Sequence, residues 1–133
     1  INNFNNALSE ADLVIAHNIS FDKKMIKVES FRLGIEQNFD YGNGYGIKEY
    51  CTMKNSVNVC KIERTSENGN VYFKYPTLTE LHTHLFKFTP KNTHDSMADV
   101  LICLRCYYTL VNNEDVVNQG CSIINKLYNL YCT

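Results

Sequence analysis

Residues 12–22 read Asp12-Leu13-Val14-Ile15-Ala16-His17-Asn18-Ile19-Ser20-Phe21-Asp22. Asp12–Ala16 is a short apolar run with β-branched residues and no polar alternation. That pattern predicts a strand buried on both faces in a parallel sheet. His17–Ser20 is a tight connection. From Phe21 to Leu33 the apolar residues recur at Phe21, Met25, Val28 and Phe31 with lysines between them, the spacing of an amphipathic helix. Gly34 stands where a helix ends in the left-handed conformation. A strand, a turn of four residues and a helix make the βα half of a βαβ unit, which points to the α/β class.

Working outward, Asn5–Glu10 reads as the end of a short helix. Asp40–Gly46 is glycine-rich, but neither the Walker spacing nor the dinucleotide spacing is present, so it is not a phosphate cradle. Glu49–Met53 is a candidate short strand, Glu63–Gly69 a polar loop and Val71–Lys74 an edge strand. Thr77-Leu78-Thr79-Glu80 fits a capping box for a helix running to about Phe86. A long helix is predicted from Ser96 to Leu110, broken at Asn112-Asn113, and a final amphipathic helix over Glu114–Tyr131. The apolar face of that last helix favours packing on its own domain over docking another protein. No internal repeat or low-complexity linker interrupts the chain, which predicts one compact unit with a helical tail over 112–133.

The 133 residues suffice for one ordinary domain, and 44% hydrophobic residues with nine Tyr and seven Phe can fill a core. No apolar run approaches the roughly 18 residues of a membrane span. Thirteen Lys and Arg against 14 Asp and Glu exclude nucleic-acid binding through a general basic surface, though not through a local site. The basic residues Lys48, Lys54, Lys61, Arg64, Lys74, Lys87 and Lys91 do outnumber Glu49, Glu63, Glu67 and Glu80 in the middle of the chain. Four of the six cysteines lie within helical patterns, which suits reduced thiols in a cytoplasmic protein better than a disulfide scaffold. Cys103-Leu104-Arg105-Cys106 has no second pair to complete four metal ligands, so two core thiols are expected. His82 and His84, two apart on a helix, point in different directions and cannot chelate one ion. The chain starts with Ile1, and its first residues lack a signal peptide's basic and apolar regions, so the expectation is a piece of a longer protein.

Two carboxylates stand out. Asp99 opens a helix that is apolar almost all round, and Ile102, Cys103 and Cys106 on its own face offer nothing to neutralise it. A buried carboxylate needs a partner from elsewhere or an ion. The competing reading is structural: Ser96-x-x-Asp99 is itself a capping-box pattern. His94, five residues before Asp99, reads alone as a surface histidine. Asp22 sits beyond the C-terminal end of the apolar strand, the edge where ligands bind in open α/β sheets, but it also suits a plain helix N-terminus.

Taken together, these stretches resemble a known family. Ala16-His17-Asn18-Ile19-Ser20-Phe21-Asp22 resembles the second motif, AHNxxFD, of the DEDDh 3′–5′ exonucleases, which include the DNA polymerase III epsilon subunit and ribonuclease T. His94-Asp95-Ser96-Met97-Ala98-Asp99-Val100 resembles the third, roughly HDAxADV. Between them, Cys51-Thr52-Met53-Lys54 and Tyr75-Pro76-Thr77-Leu78-Thr79-Glu80-Leu81-His82 with Leu85-Phe86 are similar to the CTM segment and WPKLxELhxxLF helix of bacterial and phage members. The likeness covers about residues 10–111 in family order.

The resemblance implies a ribonuclease H-like α/β fold, with 1–111 as the C-terminal part of an exonuclease domain. It implies hydrolysis of phosphodiester bonds at the 3′ ends of single-stranded DNA or RNA, with a DNA polymerase or other replication proteins as possible partners and no membrane. Two Mg²⁺ or Mn²⁺ ions about 4 Å apart drive such a reaction, and hard cations favour carboxylate oxygens. By the family pattern Asp22 and Asp99 are metal ligands and His94 the general base. Asn18 is a candidate substrate-side residue that at most orients its turn, and Phe21 an expected core anchor. The family's first motif, an Asp-x-Glu on the opening strand, is absent. The fold is therefore expected to be incomplete, its opening strands missing, and this stretch alone nearly inactive. The alternative is an exonuclease-like module that has lost catalysis and binds nucleic acid or a protein.

Overall fold

A computed structural model describes residues 1–36 and 47–133; the glycine-rich stretch Asp40–Gly46 lies outside them. The described residues form a mixed α/β structure, mostly helical, with two sheets of two strands each. They divide into two compact units, Ile1–Cys51 and Thr52–Thr133.

The first unit holds α1 (Asn2–Ser9), β1 (Leu13–Ala16), α2 (Ile19–Leu33) and β2 (Lys48–Cys51). β1 and β2 run parallel, with Leu13 opposite Lys48 and Ala16 opposite Cys51. β1 was expected to be buried on both faces, but all four of its residues are only half-buried. Asn18 takes φ 74° between β1 and α2, a left-handed conformation in which Asn is among the best-tolerated residues after Gly. Gly34, at φ 64°, ends α2 with its N–H on the Phe31 carbonyl.

The face that α2 turns inward differs from the one its apolar spacing suggests. Ile19 and Ser30 are buried, while Phe21 is 58% and Phe31 90% exposed. Phe21 is thus a surface residue rather than a core anchor. Ile19, Lys23, Ile26 and Ser30 follow one another at helical spacing on the less exposed face. Lys23 Nζ bonds Glu49 Oε1 on β2 at 2.6 Å, which ties that face to the sheet.

The second unit holds α3 (Thr52–Asn55), α4 (Val57–Cys60), β3 (Glu63–Thr65), β4 (Val71–Phe73), α5 (Leu78–Phe86), α6 (Ser96–Asn112), a 3₁₀ turn (Val116–Asn118) and α7 (Ser122–Cys132). The stretch expected as a polar loop begins as a strand: β3 pairs antiparallel with β4, Arg64 opposite Tyr72. Ser66–Asn70 closes the hairpin, helped by Gly69 at φ 82° and by the Ser66 hydroxyl accepting from the Asn70 N–H. The capping box of α5 is complete. Thr77 Oγ1 accepts from the Glu80 N–H at 3.1 Å, and Glu80 Oε2 accepts from the Thr77 N–H at 2.8 Å. α7 starts later than expected, after Gly120 at φ 78°, because Val116–Asn118 forms its own turn capped by the Asp115 carboxylate.

Leu81, Ala98, Leu101, Ile102, Cys106, Tyr128 and Cys132 make the core, so α7 packs on α6 as part of it. No disulfide joins any two of the six cysteines, and Cys103 and Cys106 are both buried. Burial pushes the Cys106 thiol well up. Beside the apolar core lies a polar cluster. Arg105 grips Asp115 with Nε at 2.9 Å and with Nη2, and its Nη1 reaches the Tyr128 hydroxyl. The guanidinium carbon lies 3.9 Å from the centre of the Phe86 ring. His82, fully buried, spans Phe88 O and the Tyr128 hydroxyl, each at 3.2 Å.

Candidate active site

Asp22 sits in the first turn of α2, just past the C-terminal end of β1. The turn is held by the Asn18 carbonyl, which accepts from the Phe21 N–H at 2.9 Å and, more loosely, from the Asp22 N–H at 3.5 Å. Asn18 makes no side-chain cap bond, so it acts here through its backbone. Enough protein covers the Asp22 carboxyl to push its pKa up, while its backbone hydrogen bond and the charge of His17 pull the other way.

His94 and Asp99 meet at the start of α6. Asp95 is the cap of that helix: its Oδ1 accepts from the Met97 and Ala98 N–H groups, both at 3.0 Å. Ser96 is already the first helical residue, so the Ser96-x-x-Asp99 pattern is not a capping box. Asp99 is thereby released from the structural role its spacing suggested. It is half-buried, and among the described residues its Oδ1 takes one long bond, 3.4 Å, from the backbone N–H of His94.

His94 is exposed and holds φ 82°, a left-handed conformation uncommon among non-glycine residues. Its loop is pinned from both sides. The Asp95 N–H closes a turn on the Asn92 carbonyl at 3.1 Å, and the Asn92 side chain donates to the Tyr131 carbonyl on α7 at 2.8 Å. A recess of about 300 Å³ lined by Asn92, Thr93, Asp95, Leu130 and Tyr131 lies alongside. Nothing in the residue pattern marks Asn92, because its partner is a backbone carbonyl 39 residues away.

His94 and Asp99 are therefore neighbours within the second unit, and Asp22 and Asn18 belong to the first. Carboxylate oxygens at 22 and 99 are the right donor type for Mg²⁺ or Mn²⁺. Among the described residues no group of three His, Cys, Asp or Glu side chains gathers as a metal site, so the donors fit in kind and not in number. Comparison with protein-family models, with curated proteins and with solved structures found no match for this chain.

Proposed function

We propose that this chain carries the second and third motifs of a metal-dependent 3′–5′ exonuclease, a phosphodiester hydrolase acting at nucleic-acid 3′ ends within a ribonuclease H-like architecture. The observation that carries the reading is the start of α6. There Asp95 does the capping, which frees Asp99 from that task beside a solvent-facing His94 in the left-handed conformation. Four motif-like segments in family order support it, as does the parallel β1–α2–β2 arrangement with Asp22 at the carboxyl end of its strand.

In this reading Asp22 and Asp99 hold divalent ions, which when bound supply the charge that stabilises an attacked phosphodiester. His94, with its ring in solvent, takes the proton from the attacking water. Its backbone N–H keeps the Asp99 carboxylate turned toward the loop. Two carboxylates are half of the four-acid pattern, so the 133 residues alone hydrolyse poorly.

The test is Mg²⁺- or Mn²⁺-dependent shortening of a 5′-labelled oligonucleotide, run with the chain alone and with an Asp-x-Glu strand supplied ahead of Ile1. Activity should appear or rise at least about tenfold on extension, because the added acids complete the carboxylate set that holds both ions. His94→Ala and Asp99→Asn should each remove most of it. Turnover that ignores both substitutions refutes the assignment, and binding without turnover in the extended chain favours the non-catalytic module.

A further inference from the structure

The β3–β4 hairpin leaves aromatic rings in water. Tyr72 is 51% and Tyr75 57% exposed, and Val71 and Phe73 are exposed beside them. Isolated apolar residues on a surface need no explanation, but three exposed rings within four residues do, Tyr72 and Phe73 on the ribbon and Tyr75 just past it. They line a groove of about 520 Å³ formed by Lys54, Val57, Tyr72, Phe73, Lys74 and Tyr75, all within the second unit. The lining brings two lysines and no carboxylate. Lys74 is shared with Glu80 at 2.8 Å, which fixes its ammonium near the base of α5. Arg64 stands directly across the ladder from Tyr72, so a guanidinium and a ring share one face of the hairpin.

Flat rings flanked by cations bind stacked bases joined by phosphates, because each ring offers a face to a base whatever its identity and each cation meets the backbone. We infer that this groove binds single-stranded nucleic acid, with Tyr72 and Tyr75 as stacking platforms and Lys54 and Arg64 as phosphate contacts. The inference goes beyond the hydrolytic reading and does not need it, since binding requires neither the ions nor His94.

The measurement is fluorescence anisotropy of the full chain in EDTA and low salt. Its probes are labelled oligodeoxyuridylate and oligouridylate of about 15 nucleotides, a length that fills such a platform, and a duplex of equal length. Single strands should bind more tightly than the duplex, and affinity should fall with salt. Tyr72→Ala and Tyr75→Ala should each weaken binding by about fivefold or more, while Tyr72→Phe and Tyr75→Phe retain it. Lys54→Glu should weaken both probes alike, and any difference between them tells which sugar is preferred. Each variant is checked by its thermal melt. Absence of binding, equal binding of the duplex, or affinity indifferent to the rings overturns the inference. So does a concentration-dependent dimer that Tyr72→Ala abolishes without any oligonucleotide effect.

Discussion

Asp95 and Asp99 are both acids at one helix start, and the structure gives them opposite duties. Asp95 satisfies two N–H groups that would otherwise lack partners, a role worth about 1 kcal/mol, up to about 2. Asp99 gains one long bond and the attraction of the helix N-terminus. Asp95→Ala should therefore lower stability by about 1–2 kcal/mol in a denaturant melt, while Asp99→Asn should stay within about 0.5 kcal/mol. Equal losses would return Asp99 to a structural role. The acids at 22 and 99 stand out in the sequence through their motif-like settings, but that Asp95 rather than Ser96 caps α6 does not. Ser96-x-x-Asp99 and Asp95 offer two cap registers one residue apart, and only the backbone's turn at His94 chooses between them.

At the scale of elements, local chemistry was readable and orientation was not. Thr77 and Glu80 announce α5 because both halves of the cap lie within four residues. The hairpin partner Glu63–Thr65 escapes notice because three polar residues carry no alternation, and the partner strand supplies their order. For α2 the apolar spacing at Phe21, Met25, Val28 and Phe31 defines a face correctly, yet periodicity cannot say that Ile19 and the Lys23–Glu49 pair will turn the neighbouring face to the sheet. The consequence is measurable. Phe31→Ala should change stability by no more than about 0.5 kcal/mol, as at a surface position, where a phenylalanine in a core would cost about 3–5 kcal/mol. A loss in the larger range means that the stripe is covered in the protein.

For the molecule as a whole, charge near neutrality hides a cluster of titratable groups inside the Thr52–Thr133 unit. Arg105 has no carboxylate near it in sequence, and its partner Asp115 arrives from the far side of the Asn112-Asn113 break. Around this pair His82 is fully buried and bonded in a way that suits the neutral ring: one nitrogen donates to the Phe88 carbonyl and the other accepts from Tyr128, whose oxygen in turn accepts from Arg105. Burial, with Arg105 alongside, lowers the His82 pKa from its ordinary 6.5, and only the Phe88 carbonyl and Asp115 oppose this. An unfolded chain takes up a proton below about pH 6.5 that the folded one refuses, so stability is full above that value and declines as pH falls, by at most about 1.4 kcal/mol per unit. The carboxylates of Glu80 and Asp115, held low by Lys74 and Arg105, add their losses only further into acid. The thiols of Cys60, Cys106 and Cys132 are pushed up by burial from 9.0, and they confine the loss on the other side to pH above about 9. The melting temperature should thus hold steady between about pH 6.5 and 9 and drop between 6.5 and 5. His82→Gln should lower the plateau, because it disturbs both bonds, and flatten the acid limb, because it removes the titrating ring. A wild-type melt that is level from pH 7 to pH 5, or an acid limb that survives His82→Gln unchanged, would place the pH dependence elsewhere than in this cluster.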